Sequence, residues 1–153
     1  MGELEISKQQ QFLNSVYQNT QTAVQSISDI MSSVQSQELQ KELQNQSKKY
    51  EKIGSECEDY ANKLQINIKD NNWLEKARLW TSIKMTTFSD KTTRHIAEMM
   101  LLGTVMGLLT CFKDQKDYAT VDKYIDKLLI ELINLEQENY EKLKTFLSTK
   151  CED

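Results

Sequence analysis

The sequence contains no proline and only four glycines among its 153 residues. These two residue types mark the turns of β-rich folds, so their scarcity argues against a sandwich or barrel of many short strands. Hydrophobic residues make up 39% of the chain and charged residues 27%, with both signs interspersed. We expect one all-α domain over residues 1–153, long enough to bury a core.

Histidine and cysteine are also scarce. His95 is the one histidine, and the three cysteines, Cys57, Cys111 and Cys151, form no Cys-x-x-Cys pair. A di-iron centre of the kind found in helical bundles needs two histidines, so this chain does not have the ligands for one. Widely spaced cysteines in odd number favour reduced thiols and a cytoplasmic protein over a disulfide framework.

The chain has no excess of positive charge, and its first residues give no reason to expect a secretory signal peptide. Its net charge of −4 gives no general reason to expect a nucleic-acid partner. A basic and aromatic cluster could stack bases, but core tryptophans with solvated cations explain it more simply. That cluster comprises Trp73, Lys76, Arg78, Trp80, Lys84, Lys91 and Arg94. The first residues, MGELEISKQQQ, are polar and acidic where a signal peptide is basic and then apolar.

Apolar residues recur at alternating spacings of three and four, which places them on one stripe of an α-helix. The pattern predicts helices over residues 6–34, 37–67, 73–88, 91–113 and 117–149. Ser36 is expected to cap the second helix, and Ser89 or Asp90 the helix that starts near Lys91. With short links between them, these helices predict an up-down-up-down four-helix bundle, with residues 73–88 as an extra short helix.

Three of the helices have a clear apolar stripe that is predicted to face the core. In the first helix the stripe is Leu13, Tyr17, Thr20, Val24, Ile27, Met31 and Val34. In the second it is Leu39, Leu43, Gln46, Tyr50, Ile53, Cys57, Tyr60 and Leu64. In the last it is Tyr118, Val121, Ile125, Leu128, Leu132, Leu135, Tyr140, Leu143 and Phe146.

The most apolar part of the chain is RHIAEMMLLGTVMGLLTCF, residues 94–112. Its apolar run, from Met99 to Phe112, is shorter than the roughly 20 residues that span a bilayer. We therefore expect no membrane span and interpret this segment as the most buried helix of the bundle. Gly103 and Gly107 form a small-residue seam for close packing, inside the monomer or across a dimer, with Met99 and Met106 beside it.

His95 and Glu98 stand three residues apart and share one face of the same helix. They suit either a polar helix start or half of a site for a single divalent metal. The carboxylates considered as further ligands are Glu56, Glu58, Asp59 and Glu131. No nucleophile motif and no glycine-rich phosphate loop is present, so the sequence names no catalytic residue and no cofactor.

Three segments together resemble a known family. They are VYQNTQTAVQSI, ELQKELQNQSKKYEKI and IKMTTFSDKTTRHIAEMMLLGTVMGLLT. They resemble a family of small uncharacterised proteins from clostridia-like Gram-positive bacteria. The positions that match are His95, Ile96, Ala97, Glu98, Met99, Gly103, Met106 and Gly107. The resemblance implies a ferritin-like four-helix bundle in the cytoplasm and no particular activity. The chain departs from it with LLGTV where the family has a more polar segment.

The resulting hypothesis is a non-enzymatic bundle that acts by association, as a homodimer or with another protein. It rests on the uncharged polar face of the first helix, the seam at Gly103 and Gly107, and the lack of a catalytic constellation. The alternative is a bundle that binds a metal or a small ligand near His95 and Glu98.

Overall fold

The computed structural model describes the backbone of residues 2–68 and 90–148 and the side chains of residues 8–68 and 90–148. These residues form four α-helices and no strand, which confirms the all-α prediction for this part of the chain. The elements are α1 (Gly2–Met31), α2 (Gln37–Leu64), α3 (Thr93–Asp117), α4 (Lys123–Thr145) and a 3₁₀ turn (Phe146–Ser148). The short helix that was predicted over residues 73–88 lies outside the described residues. Cys151 also lies outside them.

The ends of α2 follow from local capping chemistry. Ser36 caps α2 as predicted, because its side-chain oxygen accepts a hydrogen bond from the Leu39 N–H at 3.2 Å. The helix ends at Leu64, earlier than the predicted residue 67. Gln65 adopts a left-handed conformation with φ 58°, and its N–H bonds back to the carbonyls of the last turn.

Helix α3 starts and ends later than predicted. Its cap is Thr92 rather than Ser89 or Asp90, since the Thr92 hydroxyl accepts a hydrogen bond from the His95 N–H at 3.3 Å. Residues 114–116, which the prediction leaves between two helices, continue α3 to Asp117. The turn lies over residues 118–122 instead.

Asp122 begins α4. Its Oδ1 accepts hydrogen bonds from the backbone N–H groups of Tyr124 at 2.8 Å and Ile125 at 3.0 Å. Both donors would otherwise lack partners at a helix start, so this cap sets the first residue of α4 at Lys123.

The first two helices form an antiparallel hairpin. Gln10 near the start of α1 donates to the Asn67 carbonyl beyond the end of α2, at 2.7 Å. Two turns later the Tyr17 hydroxyl donates to Glu58, at 2.6 Å. Later residues of α1 therefore contact earlier residues of α2, because the short link around Ser36 reverses the direction of the chain.

Helix α1 is also antiparallel to α3. The Ser15 hydroxyl donates to the Asp114 carboxyl at 2.7 Å, and one turn later the Asn19 amide donates to the Cys111 sulfur at 3.4 Å. The end of α3 therefore lies beside the start of α1. Stacking of the Phe12 ring on Tyr118, with centroids 5.0 Å apart, fixes the same end of the bundle.

Helix α4 runs antiparallel to α2, because Tyr60 meets Asp122 at 2.7 Å and Lys49 meets Glu138 at 2.9 Å. The four described helices thus run up, down, down and up. The expected up-down-up-down order is wrong for them, since α2 and α3 point the same way. Residues 65–92 can connect two such helices, because a chain of that length extends to roughly 90 Å and α2 is about 42 Å long.

The core lies where α1 and α4 meet, with α2 and α3 at opposite corners. Most predicted stripe residues are buried, including Leu13, Leu39 and Leu132, each 0% exposed. Full burial of a side chain of this size contributes about 1.5–3 kcal/mol. Phe12 and Val16 are buried as well, which widens the stripe of α1 beyond the predicted residues.

Candidate functional site

The inward face of α3 is built from small and polar side chains. Its buried residues are Thr93, Ile96, Ala97, Thr104, Cys111 and Asp114. They are spaced by 3, 1, 7, 7 and 3 residues, and steps of seven return to the same side of a helix, so they form one stripe. Only Ile96 among them is large and apolar. The fully buried stripe of the helix is therefore mostly small and polar, and the half-buried Met99, Met100, Leu101 and Leu108 pack against the core beside it.

The outward face of α3 has the opposite character. Five large apolar side chains on it are about half exposed: Leu102 54%, Val105 45%, Met106 50%, Leu109 55% and Phe112 47%. Among the described residues the other exposed large hydrophobic side chains are Ile130, at 50%, and Tyr124, at 37%. The expectation that this segment is the most buried helix of the bundle is therefore wrong. We call these five side chains the outer face.

Helix α3 is also the one described helix that is long and apolar enough, by length and composition, to cross a membrane. Only 22% of its most apolar 18-residue window is buried, whereas a core helix of that composition would be covered on most sides. The predicted apolar run, Met99 to Phe112, has 14 residues, whereas α3 as a whole has 25 and contains a longer apolar window around that run.

The two glycines of the predicted seam have different surroundings. A Cβ added at Gly107 would lie 2.9 Å from Cδ of Glu136, which is closer than real Cβ atoms approach other atoms. A Cβ added at Gly103 would meet nothing within 4 Å. Gly107 therefore packs inside the monomer, against α4, and Gly103 lies beside the outer face.

Glu136 is the most buried carboxyl group of the described residues, at 1% exposure. The Tyr50 hydroxyl lies 3.4 Å from its Oε1, and the Cys111 thiol lies 3.5 Å from its Oε2. Burial raises the pKa of Glu136 to about 8, and the hydrogen bonds from Cys111 and Tyr50 offset only part of that rise. Glu136 is therefore protonated at neutral pH, inside a layer that Gly107 leaves open for it.

The same layer contains further polar groups. The Asn19 amide donates to the Gly107 carbonyl at 3.1 Å, which ties α1 to the middle of α3. Asn139 is 1% exposed, and its amide nitrogen has no hydrogen-bond partner among the described residues. Two turns beyond Gly107 along α3, burial raises the pKa of Asp114 to about 6, while the hydrogen bond from Ser15 opposes the rise. Polar bonds thus hold α3 to the bundle on its inward side.

His95 and Glu98 lie on the first turns of α3, as predicted, with Nδ1 and Oε2 3.9 Å apart. Both side chains are open to solvent, at 36% and 60% exposure. The four carboxylates considered as further ligands belong to α2 and α4. Within residues 2–68 and 90–148, no group of three or more His, Cys, Asp or Glu side chains could hold a metal ion. The described structure therefore gives no third ligand to the predicted metal site.

The other predicted residues are distributed as follows. Met99 is half-buried and packs against the core, while Met106 belongs to the outer face. Cys57 and Cys111 are buried free thiols. Of the basic and aromatic cluster, only Lys91 and Arg94 fall in the described residues, and both are exposed.

Sequence reasoning missed Glu136 and Asn139 as members of the buried layer, although a signal was present. Ile125, Leu129, Leu132, Glu136, Asn139 and Leu143 are spaced 4, 3, 4, 3 and 4. That periodicity places the two polar residues on the same stripe as buried leucines. The outer face has a similar signal, since Leu102, Val105, Leu109 and Phe112 are spaced 3, 4 and 3.

Comparison of the chain with protein families, curated proteins and solved structures finds no match in any of the three. The resemblance to a clostridial family stays a prediction.

Proposed function

We propose that this protein is a non-enzymatic helical bundle that works by self-association through the outer face of α3, as a homodimer. The observation that carries the proposal is the half-exposed apolar set Leu102, Val105, Met106, Leu109 and Phe112. Monomeric proteins rarely leave a larger contiguous apolar patch than a few hundred Å² open to water. A patch of five such side chains on one helix is typical of a surface that a partner covers.

The spacing of these residues supports a helix as the partner. Leu102, Val105, Leu109 and Phe112 alternate by three and four residues, which is the repeat of side chains that interlock between paired helices. A second copy of α3 supplies the same repeat. Five side chains on one helix cover less area than a standard interface of about 800 Å² per partner, so we expect a dissociation constant in the micromolar range.

A membrane is the second candidate, because α3 is long and apolar enough to cross one. Spanning would require α3 to leave the bundle and to break the bonds that Asn19 and Ser15 make to its inward side. It would also remove the part of α3 that packs against Glu136 and buries its carboxyl group. These costs favour pairing of the outer face with protein over insertion into lipid.

We also propose a cytoplasmic location, supported by the buried free thiols of Cys57 and Cys111, which a reducing compartment maintains.

Sedimentation velocity of the wild type and two matched variants tests the proposal. Leu109→Gln removes an apolar side chain from the middle of the outer face, and Ile130→Gln makes the same kind of change on α4, where Ile130 is 50% exposed. At about 100 µM protein, well above a micromolar dissociation constant, we expect dimers for the wild type and Ile130→Gln. Leu109→Gln occurs twice in each dimer and should raise the dissociation constant at least about tenfold.

A wild type that stays monomeric at that concentration would overturn the proposal. Flotation of the same samples with phosphatidylcholine and phosphatidylglycerol vesicles separates the two candidates. A monomer that floats with the vesicles, and loses this binding in Leu109→Gln, would identify lipid as the partner. Equal dimerisation of all three proteins would show that another surface is responsible.

A further inference from the structure

The outer face of α3 has a symmetry that specifies how two copies pair. Glu98, Leu102, Val105, Leu109, Phe112 and Lys116 continue one repeat, with spacings of 4, 3, 4, 3 and 4. The repeat therefore begins with an acidic residue, has four apolar residues inside and ends with a basic residue. Glu98 and Lys116 are both exposed.

The repeat is symmetric about Gly107. Glu98 and Lys116 each lie nine residues from this glycine, and Leu102 and Phe112 each lie five residues from it. Val105 and Leu109 each lie two residues from it. A sequence of this kind matches itself when one copy is turned end to end, because each position then meets its counterpart across the midpoint.

We infer that two copies of the chain pair through α3 in antiparallel orientation, with a two-fold axis at the level of Gly107. This inference rests on the proposed function and adds the geometry of the partner. Leu102 of one copy packs on Phe112 of the other copy, and Val105 packs on Leu109 of the other copy. At each end Glu98 lies opposite Lys116 of the other copy.

Charge decides between this arrangement and the parallel one. Parallel pairing of the same faces brings Glu98 onto a second Glu98 and Lys116 onto a second Lys116, so both ends repel. Antiparallel pairing makes two attractive pairs instead. Charges at the ends of a helical seam select partner orientation in this way even where each pair contributes little affinity.

Charge also fixes the register. A shift by one heptad in either direction places Glu98 or Lys116 opposite an apolar residue and leaves apolar side chains of the outer face uncovered. Only the register centred on Gly107 covers all four apolar members of the repeat and pairs both charges. The overlapping part, from Glu98 to Lys116, is about 27 Å long.

Charge reversal tests the orientation. Glu98→Lys and Lys116→Glu each create two like-charge contacts in the antiparallel dimer, and the double variant E98K/K116E restores attraction with the signs exchanged. Exposed pairs contribute modestly, so each single variant should raise the dissociation constant on the order of tenfold, measured by sedimentation at about 50 mM salt. The double variant should return close to the wild-type value.

Glu51→Lys is the matched control, because Glu51 is exposed on α2, at the corner opposite α3, and the change in net charge equals that of Glu98→Lys. It should leave the dissociation constant unchanged. In a parallel dimer the single variants leave like charges opposite each other, as in the wild type, and change little. That result, or a double variant that stays as weak as the single ones, would overturn the antiparallel pairing. If Leu109→Gln still dissociates the dimer in either case, the proposed function stands and only the orientation fails.

Discussion

The buried carboxyl group of Glu136 gives the protein an uncommon dependence of stability on pH. Its pKa is about 8 in the folded chain against 4.5 for the free side chain, because burial disfavours the charged form. Between those two values the folded protein holds a proton that the unfolded chain releases. Stability from this group is therefore fully present below pH 4.5 and is lost as the pH rises through 8.

The magnitude follows from the two pKa values. The slope reaches at most about 1.4 kcal/mol per pH unit between pH 4.5 and 8. Between pH 6 and pH 8 the free energy of unfolding should fall by about 2 kcal/mol. Asp114, with its pKa of about 6, adds a smaller loss in the same direction. The Cys111 thiol and the Tyr50 hydroxyl do not titrate in this range, since burial raises the pKa of each.

Glu136→Gln tests this assignment, because the amide keeps the shape of the carboxylic acid and carries no titrating proton. We expect urea unfolding of the wild type to show the fall between pH 6 and 8, and unfolding of the variant to show only the small part due to Asp114. Glu138→Gln is the control on the same helix, since ion pairs with Lys49 and Lys142 lower the pKa of Glu138. All proteins are compared at one concentration, because dimerisation shifts apparent stability.

Two results would refute the reasoning. The first is a wild type whose stability is constant or rises between pH 6 and 8. The second is a Glu136→Gln variant whose stability falls as steeply as that of the wild type. Either result would mean that Glu136 is ionised in the folded protein, and that water or a cation reaches the layer beneath Gly107.

Two further outcomes follow from the glycines of α3 and from the cap of α4. Gly107→Ala should lower the free energy of unfolding by about 1–3 kcal/mol, because the added methyl group displaces Glu136 from a packed layer. Gly103→Ala should raise the free energy of unfolding by up to about 1 kcal/mol, since that methyl group enters open space and alanine favours the helix. Equal changes in the free energy of unfolding for the two variants, measured by urea titration, would contradict the placement of the two glycines. Asp122→Ala removes the cap of two backbone donors and the acceptor of the Tyr60 hydroxyl, so it should cost at least about 1–2 kcal/mol. Asp126→Ala is the control inside the same helix, and a loss no larger than that of the control would contradict the capping role.

The sequence predicted the buried stripes of α1, α2 and α4 well, because their periodicity separates an apolar face from a polar one. Leu13, Leu39 and Leu132 are buried for that reason. The sequence did not predict which face of α3 points inward, because apolar residues extend around most of this helix. When several faces are equally apolar, the inward face is chosen by contacts such as Asn19 with Gly107, and these depend on tertiary structure.

The order of the helices was beyond sequence reasoning for a related reason. Short links force neighbouring helices to be antiparallel, which is correct for the link at Ser36 and for the turn at residues 118–122. The connection over residues 65–92 is long enough to join helices in either orientation, so no local rule fixes it. The close contact of Gly107 with Glu136 likewise joins two helices whose mutual register the sequence does not specify.

Covering of the outer face by a second copy is tested most directly by oxidative footprinting of Met106 at two protein concentrations. Met106 is 50% exposed in the single chain and lies at the edge of the paired surface, whereas Met31 on α1 is half-buried against the core and serves as an internal reference. Between about 100 µM and about 1 µM protein, we predict that the rate of Met106 oxidation rises several-fold relative to that of Met31. A ratio of the two rates that is the same at both concentrations would contradict self-association through α3.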